Sequence, residues 1–154
     1  AFYSMGDHTT GTGNMMVVNG GGQANTAWSQ SVAVTAGTQY DLSAWAANVC
    51  CDATFNFNFP GSGLELIIMD GVTSTSIAAG STGLAGVWNK LSGNWTATST
   101  GNVTVAILNT VTALNGNDFA LDDISMTAVS NTPVPASLLL LAVGLLGFGT
   151  VRRR

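Results

Sequence analysis

Along the first 130 positions, apolar and polar residues alternate in short runs separated by turn-forming residues. In "WSQSVAVT", Trp28, Gln30, Val32 and Val34 fall on one side of an extended chain, and Ser29, Ser31 and Ala33 on the other. In "QYDLSAWAANV", Tyr40, Leu42 and Ala44 oppose Asp41, Ser43 and Trp45. That period of two predicts strands with one buried face. "LELIIMDG" turns Leu64, Leu66 and Ile68 inward and closes on Asp70-Gly71, a hairpin signal, with "TSTSIAA" as its partner. "NMMVVNG", "VWNKLSGNWTATS", "NVTVAILN" and "FALDDISMTAV" complete a set of eight strands at roughly ten-residue spacing, with no amphipathic helical pattern. This predicts an all-β sandwich of the jelly-roll kind over residues 1–130.

After Asn131 the pattern changes. Residues 131–136 form a Pro-containing linker, residues 137–151 form an apolar run rich in Leu and Gly, and Arg152, Arg153 and Arg154 end the chain. The seventeen residues from Pro135 to Val151 carry no charge. As a helix they reach about 25 Å, slightly short of the ~30 Å bilayer core, a gap that snorkelling arginines close. A single C-terminal transmembrane helix is expected, its arginine cluster cytoplasmic and the sandwich outside.

Charged residues are only 8% of the chain, against about 25% in ordinary globular proteins. Short polar residues carry the solubility instead, as in exported β-rich proteins. Residues 1–130 hold Lys90 as their lone Lys or Arg against eight carboxylates. A body this acidic repels phosphate backbones, which excludes nucleic acid as an expected partner. Cys50 and Cys51 are adjacent. They can close a small ring with each other, each pair elsewhere, or remain two buried thiols, and no spaced ligand set points to a metal.

The tail "TPVPASLLLLAVGLLGFGTVRRR" resembles a PEP-CTERM sorting signal of the VPLPA type, with Pro133, Val134, Pro135 and Ala136 as the sorting motif. It departs from the commonest form in having Val134 where Glu stands. The resemblance implies processing by an exosortase at the inner membrane, near residues 133–136. It also implies release or attachment of the ectodomain at the cell surface or in the extracellular matrix.

Within the body, "GDHTTGTGNMMVVNG" and "GNDFALDDISM" resemble the paired signature of MAM-like and galactose-binding-like jelly rolls. "WSQSVAVTAGTQYDLSAWAANV" is similar to the strand pair between them in carbohydrate-binding-module-like domains. In that superfamily an early strand carries Asn-Gly-x-Phe-Glu, which nothing here matches. The resemblance therefore implies a natural chain that begins further upstream, with a first strand and a signal peptide.

Adjacent aspartates on a strand are expected on opposite faces, one turned to the sheet edge and one to solvent. Ca²⁺, which takes carboxylates in loose geometry, would compensate them. In related jelly rolls such an ion ties the first and last strands, which implies Asp122 as ligand, then Asp123, with Asp7 as a third. Calcium here would be structural.

No enzyme is expected. His8, the only histidine, has acidic and hydroxyl neighbours merely by adjacency, and a catalytic set is assembled through the fold rather than along it. It is read as a hydrogen-bonding anchor of its loop. Asp52, Glu65 and Asp70 form no implied glycosidase pair. The Gly-rich "GTGNMM" and "GGGQAN" open no helix, so they make no phosphate cradle. Trp45, outward by parity, is the candidate for stacking on a sugar ring. The reading is a non-catalytic surface or matrix protein, with adhesion as its first function and polysaccharide recognition as the alternative.

Overall fold

The computed structural model describes residues 2–51, 61–71, 73–113 and 116–130. The predicted sorting motif at 133–136, membrane helix at 137–151 and arginines 152–154 lie outside the described residues, as does Asp52.

The eight expected strands all form: β1 (Met16–Val18), β2 (Asn25–Val34), β3 (Gln39–Asn48), β4 (Gly63–Asp70), β5 (Thr73–Ser81), β6 (Asn89–Thr96), β7 (Gly101–Asn109) and β8 (Phe119–Ala128). They build two four-stranded sheets, ordered β1-β8-β3-β6 and β2-β7-β4-β5, with every neighbouring pair antiparallel. No helix occurs among the described residues. Asp70 and Thr73 face each other at the end of the β4–β5 hairpin, and Gly71 takes the positive φ of 65° that its tight turn needs.

Each sheet presents one apolar face, so the two must stack to remove it from water. Leu42, Leu64, Leu66, Ile68, Ile107, Phe119 and Leu121 are fully buried between them. The parity read from β3 holds: Leu42 and Ala44 face the core, while Asp41, Ser43 and Trp45 face out. Trp28 and Trp95 pack against the core from the inner faces of β2 and β6.

Where β8 passes β3, its alternation breaks. Ser43 pairs with Ser125 and Trp45 with Asp122, so β3 advances two residues while β8 advances three. The extra residue is a β-bulge. Asp123 sits there with φ of 46°, a left-handed conformation that aspartate tolerates better than most side chains. The bulge resets parity. Phe119 and Leu121 point inward before it, Ile124 and Met126 after it, and Asp122 and Asp123 both stay on the outer surface. The expectation of opposite faces was therefore wrong, because it assumed a regular strand.

Candidate functional site

The outer face of the β1-β8-β3-β6 sheet is arranged in rows set by strand register. Asp41 lies between Asn94 and Thr127; Ser43 lies between Ser92 and Ser125; Trp45 lies between Lys90 and Asp122. The middle row is all serine. Side chains so short, between rows of larger ones, leave a depression. It is an open groove of about 440 Å³ lined by Asp41, Ser43, Lys90, Ser92, Asn94 and Ser125, among others. Its walls offer a carboxylate, an ammonium, an amide and several hydroxyls. That mixed donor and acceptor set suits a ligand rich in hydroxyl groups.

At the Trp45 end stands a second cluster. The loop "GDHTT" lies against the bulge of β8. The His8 amide donates to Asp122 Oδ2 at 2.8 Å, and His8 Nδ1 lies 2.7 Å from Asp123 Oδ2. Thr9 Oγ1 donates to both oxygens of Asp123, at 2.8 and 2.7 Å. The His8 ring stacks on the Trp45 indole with centroids 3.8 Å apart and planes 20° apart, and Trp88 meets it edge-on at 5.7 Å. Lys90 Nζ lies 5.9 Å from the Trp45 ring centroid, within reach of a cation–π attraction. His8 is thus an anchor, and it occupies one face of the expected sugar-stacking indole.

Hydrogen bonds from His8, then Thr9, hold the Asp123 carboxyl below its ordinary value. Asp7 is pulled further, down to about 2, chiefly by the Thr10 amide and also by the Gly13 amide and the Thr10 hydroxyl, against an opposing effect of burial. These donors favour the charged carboxylate.

That same geometry bears on calcium. Asp7 Oδ1 accepts from Gly13 N and Thr10 Oγ1, and its Oδ2 from Thr10 N. Asp122 Oδ1 accepts from the Asp123 amide and its Oδ2 from His8 N. Both Asp123 oxygens accept from Thr9. Every carboxylate oxygen of the expected ligand set already faces an N–H or O–H group. Among the described residues, no three metal-binding side chains gather at one point. As arranged, each of these oxygens has a partner among the protein's own N–H and O–H groups.

Cys50 and Cys51 are joined to each other as a vicinal disulfide at the end of β3, Cys50 being buried. Glu65 and Asp70 lie on β4, in the opposite sheet from the groove.

The groove and the bulge were missed at the sequence level. The three serines come from positions 43, 92 and 125, and only register aligns them. The bulge left one trace. The inward apolar positions of β8 run 119, 121, 124 and 126, and the single interval of three marks the extra residue.

Residues 131–154 match the model of the PEP-CTERM protein-sorting motif. No curated protein matches the chain. Among solved structures, the C-terminal domain of the sugar-binding protein EclA is similar over 78% of this chain and 87% of its own, at 19% identity and a TM-score of 0.53. The CBM22-1 xylan-binding domain from Paenibacillus barcinonensis Xyn10C is similar over 80% and 79%, at 16% identity and a TM-score of 0.54. The CBM22-1-GH10 modules of Clostridium thermocellum xylanase 10B, complexed with xylohexaose, match over 84% of this chain but only 25% of theirs, at 19% identity and a TM-score of 0.53. At these identities the likeness is one of fold. The sorting motif marks an exported, membrane-anchored substrate for exosortase processing. The chain joins a PEP-CTERM sorting motif at residues 131–154 to a two-sheet β-sandwich with the fold of carbohydrate-binding modules.

Proposed function

We propose that this protein is a non-catalytic surface or matrix component whose sandwich binds polysaccharide in the groove over Ser43, Ser92 and Ser125. One observation carries the reading. The polar side chains of three neighbouring strands come into register around a serine floor, forming an open groove of about 440 Å³. An open groove admits the middle of a long chain, not merely its end. Hydroxyl, amide and carboxylate groups along it match sugar hydroxyls. The fold shared with sugar-binding domains supports the reading by analogy.

In this proposal residues 137–151 hold the new protein in the inner membrane, with Arg152, Arg153 and Arg154 on the cytoplasmic side. An exosortase then cuts near residues 133–136, and the sandwich is delivered to the cell surface or its exopolysaccharide. The His8–Asp123 pair has an anchoring role, since the ring is stacked against Trp45 and its Nδ1 is engaged.

The groove is tested by filling it. Ser92 is exposed, so Ser92→Trp should keep the melting temperature while abolishing binding to polysaccharides that the native chain retains in affinity electrophoresis. Flat responses of the native chain across a broad glycan array would refute the groove. Processing is read separately, by mass spectrometry of surface material, which should lack residues 152–154.

A further inference from the structure

We propose that the polysaccharide of this groove is sparsely acidic: a largely neutral chain bearing isolated anionic sugars, each read by Lys90. This rests on the groove reading above and names its substrate class.

The argument starts from scarcity. Lys90 is the only Lys or Arg in residues 1–130, against eight carboxylates. It stands in the groove wall, exposed, paired across the strands with Trp45. Among the described residues it forms no ion pair; the pair found there is His8–Asp123. Its ammonium, 5.9 Å from the Trp45 ring centroid, therefore keeps hydrogen-bond donors free for a ligand in the groove. A carboxylate on a bound sugar would meet the only Lys or Arg side chain of residues 1–130.

The surroundings set the spacing. Asp41 lies four residues along β3 from Trp45, roughly 14 Å at about 3.4 Å per residue. On the other side of Trp45 stand Asp122 and Asp123. The Debye length at physiological salt is about 8 Å. An anion at Lys90 is thus screened from Asp41. Anions on the neighbouring sugars would fall towards Asp41 or towards the paired aspartates and be repelled. A densely charged polyuronate is disfavoured, and a chain with separated anions is admitted.

The test uses the full chain in mild detergent and isothermal titration calorimetry with three oligosaccharides. One is a fragment of a gellan-type repeat, with one glucuronate among four sugars. The second is the same fragment with its carboxyl reduced to an alcohol. The third is a fully charged oligogalacturonate. The gellan fragment should bind best, and carboxyl reduction should weaken it about tenfold, the scale of one charge-assisted hydrogen bond at an open site. Lys90→Gln should erase the roughly tenfold difference between the acidic fragment and the reduced one. Equal binding of both fragments, or indifference to Lys90→Gln, overturns the proposal. If Ser92→Trp still abolishes binding in that case, the groove stands. Tightest binding by oligogalacturonate overturns the sparse spacing. No binding by any of the three overturns this proposal, while the groove itself stands or falls by the glycan array.

Discussion

Deleting Asp123 should barely change the stability of the sandwich, whereas deleting its neighbour Ile124 should lower it markedly. The two deletions remove adjacent residues and restore the same count between β8 and β3, which now advance by three and two residues over the same stretch. Without Asp123, Leu121 and Ile124 keep their inward positions and Asp122 stays outside, so a regular ladder replaces the bulge. Without Ile124, Asp123 is drawn into the inward position, against Trp28, Val105 and Met126. An unpaired polar group in apolar surroundings costs about 2–7 kcal/mol. For a domain of roughly this size, each kcal/mol moves the melting temperature by about 3–5 °C. The Ile124 deletion should therefore melt at least about 6 °C lower, and the Asp123 deletion within about 5 °C of the native chain. Circular dichroism reads both melts. Hydrogen exchange reads the loop: residues 6–13 should exchange faster in the Asp123 deletion, having lost the acceptor of His8 and Thr9. The bulge argument fails if the two deletions melt together, or if loop exchange is unchanged.

Other outcomes follow from the same geometry. Phe119 is completely buried among core residues, so Phe119→Ala should cost about 3–5 kcal/mol in urea unfolding. The Asp7 and Asp123 carboxyls are both held below their ordinary 3.8, Asp7 at about 2. Their contribution is therefore complete above about pH 4 and lost as pH falls towards 2. Exchange of residues 6–13 should rise in that window, and a transition above pH 4 would contradict the assigned hydrogen bonds. EDTA should leave the melting temperature unchanged, because loop donors already engage the carboxylates of Asp7, Asp122 and Asp123. A rise of several degrees with millimolar calcium would restore the ion, since a ligand of the native state must stabilise it.

The strands were legible because alternation is a local property. Tyr40, Leu42 and Ala44 announce their buried face within a few residues, as do Leu64, Leu66 and Ile68. The sorting motif was legible for the same reason, its residues being contiguous in the chain. Asp122 and Asp123 were misread because a bulge is a relation between two strands, and one strand by itself does not show how its partner counts. His8 and Trp45 stack although 37 positions separate them. Nothing in either local sequence carries that contact.

The sequence determined which residues turn inward, and with them an all-β sandwich joined to a sorting tail, since burial and alternation act over neighbouring positions. Only the tertiary structure decided which outward residues meet. Register among β3, β6 and β8 placed three serines side by side and Lys90 next to Trp45. A single extra residue in β8 turned two aspartates to one surface and fixed the His8 loop there. Those outcomes depend on hydrogen-bonded pairing between distant segments, which has no counterpart in the linear order of side chains.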